Sequence, residues 1–173
     1  SGADIVTGSA TSEDSNVASF GIFAQSVGGG GGYSGSMSLS DNNTIGANVL
    51  TSSSSASGDG GAVEVSSSGM ITTYGDNSVG IFAQSVGGAG GVQGTLDSSS
   101  VTESAYVGSF GGQGVAGVVS VNVGGGIQTN GSTAHGIFAQ FAGGALDGNV
   151  DPVADETVKI GVNSGTNIAT TGA

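Results

Sequence analysis

Few side chains in this sequence could do chemistry. There is one histidine, His135, one basic side chain, Lys159, no cysteine, and 13 acidic residues. Covalent catalysis needs a nucleophile beside a base that a third group orients. A single histidine, with no G-x-S-x-G elbow anywhere, leaves almost nothing from which to assemble such a site. His135 follows Ser132-Thr133-Ala134 and precedes Gly136, a turn setting in which a solvated histidine is expected. Polysaccharide cleavage uses two close carboxylates or a basic proton acceptor. Asp59 with Glu64 and Asp151 with Asp155 are the acid pairs near enough in sequence to consider. Turn acids are usually solvated, and Lys159 is the whole supply of basic groups. No catalytic residue is assigned, and the expectation is that the chain is not an enzyme.

Ligand-binding patterns fare no better. G-x-G-x-x-G occurs at Gly30 to Gly35 and at Gly112 to Gly117, but the chain has 37 glycines and such matches arise by chance. Neither opens a helix, and no lysine follows to meet a phosphate. Asp147, Asp151, Asp155 and Glu156 form one acidic segment, and Asp41-Asn42-Asn43 an oxygen-rich turn. Calcium takes six or more oxygen ligands, and the calcium-binding repeat G-G-x-G-x-D is absent. Solvated acidic turns are the expectation, with no metal or cofactor residue assigned. A net charge of −12 argues against nucleic acid, which clustered Lys and Arg would have to bind, and against anionic membrane surfaces. No apolar run is long enough to span a bilayer, so direct membrane insertion is not expected.

The elements that carry these residues repeat. GIFAQSVGG stands at 21–29 and again at 80–88, and GIFAQFAGG stands at 136–144. Ahead of the second copy lie Val63-Glu64-Val65 and Met70-Ile71-Thr72-Thr73-Tyr74-Gly75. Val119-Ser120-Val121 and Gly126-Ile127-Gln128-Thr129-Asn130-Gly131 precede the third, and Val158-Lys159-Ile160 with Ile168-Ala169-Thr170-Thr171-Gly172 repeats the pattern in the tail. Repeats at such periods indicate solenoids or propellers. The interval from Ile71 to Ile127 is clearly longer than that from Ile127 to Ile168. A smaller unit of about 19–20 residues would make these three and two turns, and a solenoid can lose a whole turn because each touches only its neighbours.

Alternation at period two (Val63, Val65; Ile71, Thr73; Ile81, Ala83; Val119, Val121, Val123) marks short strands, closed by Gly, Asn, Asp or Ser. Gly supplies the turn conformations, and the 36% hydrophobic content needs an interior. The predicted fold is therefore all-β, a right-handed parallel β-helix (solenoid) of about 19–20 residues per coil. Residues 1–173 form one segment of it. At about 4.8 Å between strands this predicts about nine coils and a rod of about 40 Å. The expected interior is Val63, Val65, Ile71, Ile81, Ala83, Val119, Val121, Ile127, Ile137, Val158 and Ile160. Ile22, Ile81 and Ile137 are placed inward and Phe23, Phe82 and Phe138 outward under a Gly-rich cover, three coils apart; the opposite facing stays open. Ser9 to Ser15 and Asp147 to Glu156 are expected to be exposed insertions.

GIFAQSVGGGGG, preceded by a V-x-V strand and an I-T-T-x-G-D-x-S turn, resembles the passenger repeats of very large alphaproteobacterial autotransporter adhesins. The likeness covers nearly the whole chain, departing at Phe141-Ala142. It implies a fragment of a longer passenger, exported through the outer membrane and displayed on the bacterial surface. The implied role is adhesion, aggregation or extension of a distal tip. The partner would be a host-cell surface or extracellular matrix component, or the same protein by self-association. In such a setting the N-glycosylation patterns Asn42-Asn43-Thr44 and Asn130-Gly131-Ser132 carry little meaning. A carbohydrate-active β-helix enzyme or tailspike-like polysaccharide-binding domain is the alternative. It would need converging carboxylates and aromatic platforms, where the sequence offers Gly, Ser, Asn and Thr turns.

Overall fold

The computed structural model describes residues 2–10, 19–34, 38–39, 43–44, 58–88, 90–93, 106–109, 114–143 and 158–172. Among them are strands and turns and no helix. The first strands are β1 (Ile5–Thr7), β2 (Phe20–Val27), β3 (Gly31–Ser34), β4 (Ser38–Leu39) and β5 (Asn43–Thr44). One full repeat then gives β6 (Val63–Ser67), β7 (Met70–Tyr74), β8 (Val79–Val86), β9 (Gly90–Gln93) and β10 (Tyr106–Ser109). The next gives β11 (Val119–Val123), β12 (Gly126–Asn130) and β13 (His135–Ala142), and the tail adds β14 (Val158–Val162) and β15 (Ile168–Thr171).

These strands build three parallel sheets, ordered β1-β7-β12-β15 (sheet I), β14-β11-β6 (sheet II) and β13-β8-β2 (sheet III). β3 pairs parallel with β9, and among the described strands antiparallel pairing is confined to β9 with β10 and β4 with β5. None of the alternating runs singled out in the sequence is paired antiparallel.

The register stacks each repeat directly on the next. Val119 lies between Val63 and Val158, Ile127 between Ile71 and Ile168, and Phe82 between Phe23 and Phe138. In sheet III, partners in neighbouring layers are therefore 56 or 59 residues apart in sequence. This corrects the expected coil of about 19–20 residues. The three short strands of a repeat belong to three different sheets of one layer, so the repeat is itself the stacking unit. Sheet I is four strands deep, about 14 Å at ordinary strand spacing. The shorter interval before Ile168 reflects a shorter link: β13 and β14 are joined by residues 143–157, whereas β8 and β11 are separated by residues 87–118. Among the described strands no layer is skipped there.

Alternation along the strands sends one set of side chains from all three sheets into a common core. Val63, Val65, Ile71, Ile81, Ala83, Val119, Val121, Val123 and Ile127 are buried there, with Ile5, Ile22, Ala24, Ile137 and Ala139 packed against them half-buried. Val158 and Ile160 were expected in the interior and are instead 36% and 51% exposed. β14 pairs only with β11, so among the described residues nothing is stacked over its apolar face. Each Val or Ile buried in the middle layers contributes about 1.5–3 kcal/mol.

The phenylalanines occupy the other face of sheet III. Phe82 stacks on Phe23 at 4.8 Å and on Phe138 at 5.0 Å, both at an interplanar angle of 4°, and Phe20 meets Phe82 edge-on at 5.8 Å. The expected opposition of Ile and Phe holds, but the rings are adjacent rather than three coils apart. Phe82 is only 4% exposed. Each such aromatic contact adds about 0.5–1.5 kcal/mol beyond area.

Sterics explain the glycine that opens GIFAQ. A Cβ on Gly80 would come within 2.5 Å of the Gly136 carbonyl oxygen and of Ile127 Cγ2, closer than any side chain tolerates. At the turn before each of the last two GIFAQ strands, Gly75 (φ 108°) and Gly131 (φ 148°) adopt a backbone that L-residues avoid. Of the two expected insertions, Ser9 and Ala10 are exposed and outside the strands. Residues 11–15 and Asp147 to Glu156 lie outside the described residues.

Candidate functional site

The polar side chains the sequence singled out are placed on turns and outward faces, and among those described Asp59 ties one layer to the next, as do Asp4 and Asp76. Asp59 Oδ1 accepts the Val115 backbone N–H at 3.0 Å, and Asp76 Oδ1 accepts that of Ser132 at 2.8 Å. Asp4 Oδ1 accepts that of Met70 at 2.8 Å in the same way. Asp59 was expected to be a solvated turn acid, and it is exposed outside the strands. It and its two counterparts also act as brackets, each holding a donor at the corner of a neighbouring layer. Glu64 projects from the exposed side of β6 opposite Ser120, and Ser120 in turn lies opposite Lys159. The pair Asp59 and Glu64 is thus split between a bracket and an outward strand face.

His135 opens β13 as an exposed residue, and its backbone N–H donates to the Ser78 carbonyl at 2.8 Å. Of the two G-x-G-x-x-G patterns, Gly30 to Ser34 is turn and strand, and Gly114 to Gly117 leads into β11. Asp41, Asn42, Asp147, Asp151, Asp155 and Glu156 lie outside the described residues. Among the described residues no three His, Cys, Asp or Glu side chains come together.

Sequence reasoning missed the strongest polar network. Gln25 Nε2 donates to Gln84 Oε1 at 2.6 Å, and Gln84 Nε2 donates to Gln140 Oε1 at 2.7 Å. Gln84 is fully buried, so a satisfied amide column is what makes it tolerable there. The signal was available: Phe and Gln recur at the same place in all three GIFAQ copies, and like-on-like columns form only when the copies lie directly over one another. A serine bracket repeats as well. Ser26 Oγ accepts the Gly61 N–H at 2.8 Å, and Ser85 Oγ accepts the Gly117 N–H at 2.8 Å while donating to the Gly61 carbonyl at 2.9 Å. Phe141 takes this place in the third copy and is 37% exposed. Inside the core, the Thr73 and Thr129 hydroxyls are fully buried and have no hydrogen-bond partner; burying such a group costs about 1–3 kcal/mol.

What the described surface offers a ligand is limited. An open groove of about 390 Å³ runs between Gly2, the Ser66–Ser68 corner, Asn122–Gly124 and Asn163. Its hydroxyls and amides could donate and accept hydrogen bonds, but no nucleophile there stands beside a base, and no aromatic side chain forms a sugar platform. The other exposed feature is apolar: Val158, Ile160, Val162 and Ile168 at one end of the stack, and Val6 at the other. Comparison with known proteins finds no matching family model, no matching curated protein and no matching solved structure.

Proposed function

We propose that this chain is a structural segment of a secreted bacterial autotransporter passenger, folded as a closed right-handed parallel β-solenoid. It stands at the cell surface, outside the outer membrane, and spaces or carries the adhesive surface that meets a host cell, its matrix or another copy. One observation supports the reading above others. Polar side chains of successive repeats join each repeat to the next, in the Gln25–Gln84–Gln140 column and the Asp59 and Asp76 brackets. A molecule built this way gains length from each repeat, because a repeat contacts only its neighbours.

The test uses the full-length protein in its own cell. Deleting residues 63–118, one stacking unit, joins β11 to the strand system in the place of β6. A spacer is expected to remain exported, with a distal epitope still reached by antibody on intact cells and with adhesion or clumping nearly unchanged. Normal display with adhesion abolished would overturn the spacer reading and assign a discrete binding site to the deleted unit.

A further inference from the structure

We propose that Asn130-Gly131 and Asp59-Gly60 are sites of self-modification, held closed by the stacking of the next layer and opened when that layer lifts. Both dipeptides can cyclise to a succinimide, because a glycine carries no side chain to hinder attack by its own nitrogen. At Asn130 the Gly131 nitrogen bonds to Cγ, its proton leaves with the side-chain amide as ammonia, and water opens the ring to Asp or isoaspartate. At Asp59 the Gly60 nitrogen displaces water instead, more slowly because a carboxylate is the poorer electrophile, and ring opening returns Asp or isoaspartate. Water is the only co-reactant. The third such dipeptide, Asp147-Gly148, lies outside the described residues.

Close stacking dictates the glycine at both places. A Cβ on Gly60 would come within 2.6 Å of Ser85 Oγ, and one on Gly131 would run into the Gly75 carbonyl oxygen. The same stacking supplies a two-point lock. The Gly131 N–H donates to the Thr171 carbonyl at 2.8 Å, and Thr171 Oγ1 donates to Asn130 Oδ1 at 2.8 Å. The Gly60 N–H donates to the Val115 carbonyl at 2.8 Å, and the Val115 N–H donates to Asp59 Oδ1 at 3.0 Å. In each case one residue of the next layer holds both the attacking nitrogen and the group it would attack.

Asn130 is tied on its other side as well. Its Nδ2 donates to the Thr73 carbonyl at 3.2 Å, so the carboxamide is stretched between two layers. Cyclisation needs the Gly131 N–H released and the carboxamide swung over it, which requires β15 to lift from β12. The outcome is one-way. Either product replaces the donor facing the Thr73 carbonyl by an oxygen, leaving that hydrogen bond unmade. Isoaspartate also adds a carbon to the main chain, which moves the Gly131 N–H off the Thr171 carbonyl. A layer that stays lifted long enough to react cannot dock again as before.

Ageing the purified 173-residue chain at neutral pH tests this, with deamidation and isoaspartate located by peptide mass spectrometry and amide hydrogen exchange followed at Gly131. Modification at Asn130 in the folded chain should be at least about a hundredfold slower than in the chain unfolded in guanidinium. Ile168 aligns with Ile127 across β15 and β12 and is 36% exposed, so Ile168→Ala loosens β15 and leaves the other layers folded. It should speed modification at Asn130 about tenfold and leave Asp59 unchanged. Exchange of the Gly131 amide should quicken by the same factor, because both processes need the same N–H released. Asn130→Gln, which would have to close a six-membered ring, should abolish the reaction there. A folded chain that reacts as fast as the unfolded one, an Ile168→Ala variant that accelerates both sites or neither, or modification that does not track Gly131 exchange would each overturn the proposal.

Discussion

Replacing Gln84 by Met probes the column that joins three layers. The substitution keeps the length of the side chain and removes its amide. Gln84 is fully buried, accepts from Gln25 at 2.6 Å and donates to Gln140 at 2.7 Å, so both bonds vanish together. At a net value near 1 kcal/mol for each neutral bond, the expected loss is about 2 kcal/mol. Gln25 and Gln140 are half-buried and can turn toward water, so the larger cost of a stranded buried amide does not apply. For a chain of this size a urea m-value of about 2 kcal/mol/M converts the loss into a midpoint lowered by about 1 M. Replacing all three glutamines by Met removes donors and acceptors together, which is nearly neutral when shape is kept. The triple variant should therefore lie within about 1 kcal/mol of the wild type, more stable than Gln84→Met alone. Urea unfolding followed by far-ultraviolet circular dichroism reads both. An unchanged midpoint for Gln84→Met, or a triple variant as weak as the sum of its singles, would refute the column as an interlayer tie.

Three further substitutions separate middle from end and backbone from side chain. Gly80→Ala puts a methyl where only 2.5 Å separates it from the Gly136 oxygen and Ile127 Cγ2, and should lower stability by about 1–3 kcal/mol in the same urea assay. Ile127→Ala, at 1% exposure, should cost about 2–5 kcal/mol, whereas Ile160→Ala, at 51% exposure, should cost under about 1 kcal/mol in dilute monomeric protein. Thr133 has φ 55°, matching Asn77 at 57° one layer away; because Asn tolerates this backbone and Thr does not, Thr133→Asn should raise stability by about 1 kcal/mol, read as a higher melting temperature.

Much of this architecture was legible in residue patterns. Alternation located the strands and named most of the core, since Val63, Val65, Ile71, Ile81, Val119, Val121 and Ile127 lie where period two puts them. Parallel pairing followed from copies that repeat in the same direction. The size of the stacking unit did not follow, because spacing alone counts residues between equivalents and not the turns between them. V-x-V, I-x-T and GIFAQ differ from one another, so each can build a like-on-like column only with its own copy in the next repeat. That identity carried the answer which the intervals obscured. Burial of Val158 and Ile160 was misjudged for a different reason: alternation reports which face a side chain takes, but only the neighbouring layer decides whether that face is covered. The brackets formed by Asp59 and Asp76 were beyond reach, since a carboxylate in a turn has the same sequence pattern whether it caps a backbone donor or faces water.

The stacking register is the claim on which the rest depends, and a single disulfide tests it. The chain has no cysteine, so a double variant introduces one defined pair. Thr72 and Gln128 face each other across β7 and β12 on the half-buried outer side of the sheet, and facing residues in paired strands approach within the Cα range of about 4.4–6.8 Å that a disulfide spans. Thr72→Cys with Gln128→Cys is expected to oxidise rapidly and nearly completely in the folded protein, shown by a mobility shift on a non-reducing gel and a cross-linked peptide by mass spectrometry. Thr72→Cys with Gly91→Cys, the pairing that a coil of about 19 residues would require, should remain reduced under the same conditions. Cross-linking of the second pair and not the first would contradict the register of stacked whole repeats.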